Sequence, residues 1–326
     1  MKFAVIGAGA IGAFVGAMLA KAGEEVILIA RGPHLEAMRE CGVRVRSSQG
    51  EFVANPQVTA DPREAGEVDV VLLTLKAHSI PGMAESLNPL LGAETAVVSA
   101  QNGIPWWYFY RHGGELDGLQ LESVDPGGVI AASIEARRIV GCVIYCSAII
   151  SEPGVIDHLE GTRFSIGEPD GSRSERCRLI AEAFIRAGLR CPIRNSIRND
   201  IWVKLLGSVA FNPISALTRA TLEEIIANLN TREVSQAIML EVGELARRLG
   251  IDVGITIEQR LAGAAKVGAH KTSMLQDLEA GRPLELEAIV GAVIELADRL
   301  DLSIPHTRTV YACTKLLGEK SLNVKQ

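Results

Sequence analysis

Aromatic residues make up only 4% of this 326-residue chain, histidines number 6, and the 6 cysteines lie scattered at 41, 142, 146, 177, 191 and 313. No two cysteines form a CxxC pair and none has a neighbouring histidine at ligand spacing, so no metal site is expected. Cys142 and Cys146 flank Val-Ile-Tyr in an alternating apolar stretch and read as buried strand thiols, which with unpaired cysteines elsewhere points to a reducing cytoplasm. Basic clusters are also missing: the longest are the pairs at 137–138 and 247–248, and the net charge is -6 with a pI near 5.6. That balance speaks against a nucleic-acid-binding surface. Uninterrupted apolar runs of eighteen or more residues are absent too, so no membrane span is expected. The opening MKFAVIGAGAIGAFVGAMLA has the look of a signal peptide, but Gly7, Gly9 and Gly12 interrupt it, and neither a cleaved nor a spanning segment has use for them. Small molecules are the expected partners.

What is present is a large apolar fraction, 48%, against 22% charged residues, enough to bury a sizeable core and, at this length, more readily two domains than one. KFAVI reads as a short apolar strand, GAGAIG leads into a helix ending near Gly23, and EVILIAR reads as a second strand. A strand, a glycine-rich turn, a helix and a strand within about thirty residues is the setting that a dinucleotide fingerprint requires. Strands are predicted at 42–47, 69–75 and 95–99, with helical patterns at 33–40 and 79–91 between them. From 139 to 167 the texture changes to strand-like pieces broken by Pro-Gly and Glu-Gly, which read as antiparallel additions. A helix at 174–188 and a short strand at 189–194 close this part. Beyond Asn195 the pattern is helical, at 198–211, 213–218, 221–228, 231–249, 256–268, 284–300 and 305–318. The predicted fold is therefore α/β: a Rossmann-type, doubly wound parallel sheet over 1–196, followed by a mainly α-helical domain over 197–326 that binds substrate and dimerises.

In the first turn Gly7, Ala8, Gly9, Ala10, Ile11 and Gly12 are the expected cofactor cradle. Gly7 permits the bend, Gly9 lets backbone approach a pyrophosphate, Gly12 allows close packing, and the helix beginning near Ala10 offers its free N–H groups. The second strand ends in Ala30-Arg31 instead of the acid that grips a ribose hydroxyl, and Arg31 suits a 2'-phosphate, so NADP(H) is expected over NAD. Lys76 in TLKAHS and Gln101, Asn102 and Gly103 in SAQNG fall at carboxyl ends of later strands, where ligands of open α/β sheets collect. Alone, Asn102-Gly103 is also an ordinary turn.

WVKLLGSVAFNP, residues 202–213, places Lys204, Ser208 and Asn212 on one side of a helix at a spacing of four. Such a stripe is either a solvated face or a working one. A hydride delivered to a carbonyl carbon leaves charge on oxygen that an ammonium neutralises and protonates, which makes Lys204 the candidate acid. Downstream, Ser273 is a hydroxyl donor for a carboxylate or a plain helix cap, and Glu285 opens the predicted helix 284–300 and can orient a hydroxyl or the lysine.

GAGAIG, Lys76 in LLTLKAHS, QNG at 101–103, WVKLLGSVAFNPISAL at 202–217 and SMLQDLEAGRPLELE at 273–287 together resemble the ketopantoate reductase family, nearly from end to end. The resemblance implies NADPH-dependent reduction of 2-dehydropantoate to (R)-pantoate in a homodimer. It places Lys204 at the catalytic lysine, Glu285 at the substrate-orienting glutamate, and Asn102 and Lys76 at strand-end groups for cofactor and substrate. Asn212 matches the second of two asparagines, and Ser273 the serine that holds the substrate carboxylate. At the first asparagine this chain has Ser208, one donor on a shorter arm, which bears on the substrate's distal hydroxyl. The segment 104–138 also departs from the pattern: Trp106, Trp107, Tyr108, Phe109 and Tyr110 hold five of the chain's aromatics, as a wall for the substrate or as packing for their own domain. Alternatives are a reductase of another branched or hydroxylated 2-oxo acid and an NADP-binding sensor without turnover. Retention of Lys204 and Glu285 speaks against the sensor.

Overall fold

In the computed structural model residues 1–323 are described, and they form two compact units. The first comprises Met1–Gln101, Trp106–Gln120 and Asp125–Ile197; the second comprises Asn102–Pro105, Leu121–Val124 and the chain from Arg198 onward.

The first unit is built on strands β1 (Lys2–Ile6), β2 (Glu25–Ile29), β3 (Val43–Ser47), β4 (Gly50–Ala54), β5 (Gln57–Thr59), β6 (Val68–Leu73), β7 (Leu91–Ser99), β8 (Ile139–Glu152) and β9 (Val155–Gly167). They make one sheet in the order β4-β3-β9-β8-β7-β6-β1-β2-β5. From β5 to β8 all neighbours are parallel. The β8–β9 hairpin is antiparallel, and so is β3–β4 at the far edge. Helices α1 (Ala10–Lys21), α2 (Gly32–Cys41), α3 (Val129–Ser133) and α4 (Glu175–Arg186) accompany it. Strands covered on both faces read as continuous apolar runs, and Phe3, Val5, Val70, Leu72, Val98 and Phe164 accordingly sit in the core with Leu19, Leu28 and Phe184. Burial there pushes the Cys177 thiol up to about 11, so it stays protonated.

The segment 79–91 is not an α-helix: it forms short 3-10 turns at Ala77–Ser79 and Ala84–Leu90, because Pro81, Gly82 and Pro89 interrupt the helical ladder. Residues 189–194 contribute only single bridges, Arg163 to Arg190 and Ile166 to Ile193. β3 pairs with β9 and β4 and stands outside the central parallel run. Its buried Val43 and Val45 alternate with the exposed Arg44 and half-buried Arg46, a pattern fitted to a sheet with one wet face. β4 and β5 are short polar strands that periodicity did not mark.

In the second unit the chain forms α5 (Ile197–Thr218, whose first residue still belongs to the first unit), α6 (Leu222–Ala227), α7 (Leu229–Arg248), α8 (Ile257–Val267), α9 (Ser273–Glu279), a π-helical turn (Glu287–Gly291), α10 (Ala292–Arg299) and α11 (Pro305–Asn323). The short α9 was not foreseen, and the predicted break at 212 does not occur, since α5 runs through Pro213. An internal proline costs about 3 kcal/mol. Leu205, Leu206, Val209, Phe211 and Ile214 are all buried around it, at roughly 1.5–3 kcal/mol for each side chain, which outweighs that cost. Thr221–Glu224 and Thr256–Gln259 are reciprocal capping boxes. Among the described helices α5 alone is long and apolar enough to cross a membrane, with mean hydropathy 1.3, and 67% of that stretch is buried inside the protein, as expected of a core helix.

Candidate active site

The glycine turn of the first unit is shaped by clashes that a side chain would create. Gly7 sits at φ +92°, and a Cβ there would lie 2.9 Å from the Leu75 amide nitrogen. A Cβ on Gly12 would lie 2.4 Å from the Gly7 carbonyl oxygen and 2.5 Å from the Thr74 hydroxyl. Around Gly9, by contrast, a Cβ would meet nothing closer than 3.9 Å. That leaves an open approach to backbone at the residue preceding α1. Gly9 accepts from the Ala13 amide, so the amides of Ala10, Ile11 and Gly12 are the orphan donors that every helix start carries. Ala8, just before them, is buried. These features fit a pyrophosphate.

Thr74, which sequence reading passed over, braces the turn: its hydroxyl lies 2.9 Å from the Gly7 oxygen and 3.1 Å from that of Ile6. The signal was one polar residue closing the apolar strand VVLLT. Exposed Arg31 is the N-cap residue of α2, directly after β2, and half-buried Lys76 follows β6 as the N-cap of the next 3-10 turn. A further residue that the sequence did not flag is His34, on the first turn of α2. Its Nδ1 accepts from the Gly154 amide at 2.9 Å, in the β8–β9 turn. Burial lowers its pKa, and the backbone of Ala8 partly opposes this.

Gln101 is structural: its amide donates to the Leu73 carbonyl at 2.6 Å and accepts from the Ser99 hydroxyl at 2.7 Å, tying β6 to β7. Ser99 accepts in turn from the Trp107 indole at 2.8 Å. Trp106, Trp107, Tyr108 and Phe109 are all buried, with Tyr108 and Phe109 meeting edge to face at 4.8 Å. The aromatic segment therefore packs within the first unit, the plainer of its two readings.

The second unit assembles side chains distant in sequence. Gly103, at φ +82°, lies so close to the π-helical turn that a Cβ would be 2.0 Å from the Ala288 oxygen, which also accepts from the Ile104 amide at 2.9 Å. A π turn shifts the register of the helical ladder, and such turns recur at functional sites. This docking places Asn102 between two charged groups. Lys204 Nζ donates to Asn102 Oδ1 at 2.7 Å, and Asn102 Nδ2 donates to Glu285 Oε2 at 3.4 Å. Both bonds require the same amide orientation, since a flipped amide would set N–H against ammonium and oxygen against carboxylate.

Lys204, Ser208 and Asn212 are half-buried while Leu205, Leu206, Val209, Ala210 and Phe211 around them are buried, so the stripe is not an ordinary wet face. The Ser208 hydroxyl donates to the Lys204 carbonyl at 3.1 Å, which spends its one proton and leaves an acceptor surface. Glu285 is buried and lies just ahead of the helical segment, where a helix-opening position was expected. Ser273 is the exposed first residue of α9, and the cap is Thr272, whose hydroxyl accepts from the Leu275 amide. Among the described residues, no group of three or more His, Cys, Asp or Glu could hold a metal ion.

Comparison with known proteins places these features in context. The family model described as ketopantoate reductase PanE/ApbA matches residues 3–171, and that of its C-terminal part matches 196–318. A 2-dehydropantoate 2-reductase of Mesorhizobium japonicum is 47% identical over 319 residues, covering 98% of each chain. The crystal structure of 2-dehydropantoate 2-reductase from Methylococcus capsulatus matches with a TM-score of 0.83 at 30% identity, over 98% of each chain. D-mandelate dehydrogenase, in a ternary structure with NADH and anilino(oxo)acetate, shares the fold with a TM-score of 0.85 at 19% identity, over 98% of this chain and 99% of that one.

Proposed function

Since this chain belongs to the ketopantoate reductase family, we propose that it reduces 2-dehydropantoate (ketopantoate) to (R)-pantoate with NADPH, using Lys204 as the general acid. The observation that carries the residue assignment is the pair of hydrogen bonds by which Asn102 holds Lys204 on one side and Glu285 on the other.

When bound, the nicotinamide supplies a hydride to the oxo carbon. The amides of Ala10, Ile11 and Gly12 at the start of α1 would hold the pyrophosphate, and Arg31 and Lys76 would supply positive charge for phosphate oxygens. As charge develops on the substrate's oxo oxygen, the Lys204 ammonium neutralises it and gives up a proton from Nζ. Asn102 restricts that ammonium to one direction through Oδ1, and its other end is fixed by Glu285, so the donor is oriented before the reaction begins. Glu285 binds the substrate hydroxyl from its buried position, Asn212 contributes an amide one turn beyond Ser208, and Ser273 offers a hydroxyl to the carboxylate. The same reading includes a homodimer in the cytoplasm, which light scattering and cell fractionation test.

The spent hydroxyl of Ser208 favours, as a second reading, a different branched 2-oxo acid, because the distal group finds one short acceptor there and no donor, where an asparagine amide offers both. One experiment separates the two readings: a panel of 2-oxo acids with NADPH, following loss of cofactor absorbance. Ketopantoate should give the highest kcat/KM, and a panel in which another acid exceeds it tenfold would replace the substrate while keeping the chemistry.

A further inference from the structure

One side of α5 contains a cation that the proposed machinery does not use. Arg260 of α8 reaches across to Gly207: a Cβ on that glycine would be 2.0 Å from an Arg260 terminal nitrogen and 2.5 Å from Cζ and Nε. The guanidinium thus lies against the backbone of α5, 5.9 Å from the Phe211 ring. Arg260 is half-buried, and all of these residues belong to the second unit.

The position on the helix matters. At about 100° per residue, Gly207 and Phe211 are roughly 60° and 20° to one side of Lys204, while Ser208 and Asn212 are roughly 40° and 80° to the other. The lysine is therefore flanked by the guanidinium on one side and by the two polar side chains on the other. In a 2-oxo acid the carboxylate and the hydroxyalkyl tail leave the trigonal oxo carbon on either side of the C=O bond. If the oxo oxygen is at Lys204 and the tail points toward Ser208 and Asn212, the carboxylate falls on the Gly207 side. Ser273 offers a carboxylate one O–H and no charge, whereas a guanidinium offers a planar fork of donors matched to its two oxygens.

We infer that Arg260, seated on Gly207, binds the carboxylate of the substrate. This rests on the proposed reading of Lys204 as the group facing the oxo oxygen. Gly207 then has a definite purpose, because any side chain there would push the guanidinium off its seat.

The test compares ketopantoate, an anion, with its neutral lactone, in the wild type and in Arg260→Gln, Arg260→Lys and Gly207→Ala. Losing a charge-assisted hydrogen-bond pair should raise KM for the acid about 10- to 100-fold. The lactone should change less than about threefold and the dissociation constant for NADPH not at all, with Arg260→Lys between the wild type and Arg260→Gln. Gly207→Ala should show the same selective loss with an unchanged or higher Tm, since alanine is the better helix former. That variant keeps the arginine in the chain and guards against reading a folding defect as a binding one. Acid and lactone losing kcat/KM in parallel, or a KM for the acid that stays put, would overturn the role of Arg260. A wild type inactive on ketopantoate would instead refute the reading on which it rests.

Discussion

Two glycine turns in this protein do the same steric work for opposite ends. At Gly12 a Cβ would meet the Gly7 oxygen at 2.4 Å, and at Gly103 one would meet the Ala288 oxygen at 2.0 Å. The first contact closes a loop on itself within a few residues and presents backbone N–H groups. The second joins segments 185 positions apart and presents side chains: Asn102 with Lys204 on one side and Glu285 on the other. The glycine turn of the first unit works by leaving side chains out, and that of the second works by putting them in place. The first should therefore govern cofactor affinity and the second turnover.

Lys204→Ala tests that division with the largest expected effect. Removing a general acid typically lowers kcat by about two or more orders of magnitude. NADPH binding, followed by nucleotide fluorescence, should be unchanged. Near-normal turnover would remove Lys204 from the chemistry, and a large loss of NADPH affinity would blur the division of labour.

The two glycines provide the next largest contrast. Gly103→Ala should lower kcat by roughly one to two orders of magnitude, since relieving a 2.0 Å contact with the Ala288 oxygen displaces the loop by about an ångström and misaligns Asn102. KM for NADPH should hardly move. Gly12→Ala should do the reverse, raising KM for NADPH about tenfold or more and destabilising the protein by roughly 1–3 kcal/mol, because a backbone oxygen must give way. If both variants shifted the same kinetic constant, the comparison would fail.

The contrast also explains what could be read from the sequence. The fingerprint was legible because its parts are consecutive: strand, turn and helix state their own periodicity, and the expected φ and clash at Gly7 and Gly12 follow from the motif. The stripe on α5 was legible as an anomaly, three polar residues at a spacing of four within an apolar helix. Asn102 was legible as a strand-end ligand group that alone is also an ordinary turn, but its hydrogen bonds to Lys204 and Glu285 come only from the fold that brings 102, 204 and 285 together. Residues such as Thr74, His34 and Arg260 left almost no local trace, since each acts on a segment that only the tertiary structure supplies. The helix expected at 79–91 failed for a local reason, two prolines and a glycine, that apolar spacing alone outweighed.

Arg31 offers a smaller but cleaner test of the first unit. Replacing it with Asp should raise KM for NADPH about tenfold and lower the NADPH-to-NADH preference ratio, by removing charge opposite a 2'-phosphate. kcat at saturating cofactor should stay within a factor of two or so, since the side chain touches nothing that reacts. An unchanged preference ratio would move the 2'-phosphate contact to another residue.

The smallest effect belongs to His34, and it concerns pH. The imidazole accepts the Gly154 amide through Nδ1, which requires that nitrogen to be unprotonated, and burial lowers its pKa in the folded state. Unfolding restores the ordinary value of 6.5, so as pH falls through that value the unfolded chain takes up a proton sooner than the folded one. The stability that His34 contributes is therefore complete above 6.5 and is lost progressively below it, down to the depressed folded value. His34→Asn offers an oxygen near the place of Nδ1 and does not titrate. The wild type should lose more Tm than this variant between about pH 7.5 and 5.5, with the two curves converging at the alkaline end. Cofactor affinity should follow the same course, because α2 follows directly on Arg31. Parallel Tm curves across that range would mean that His34 only packs, and that the pH response of the first unit comes from its carboxylates.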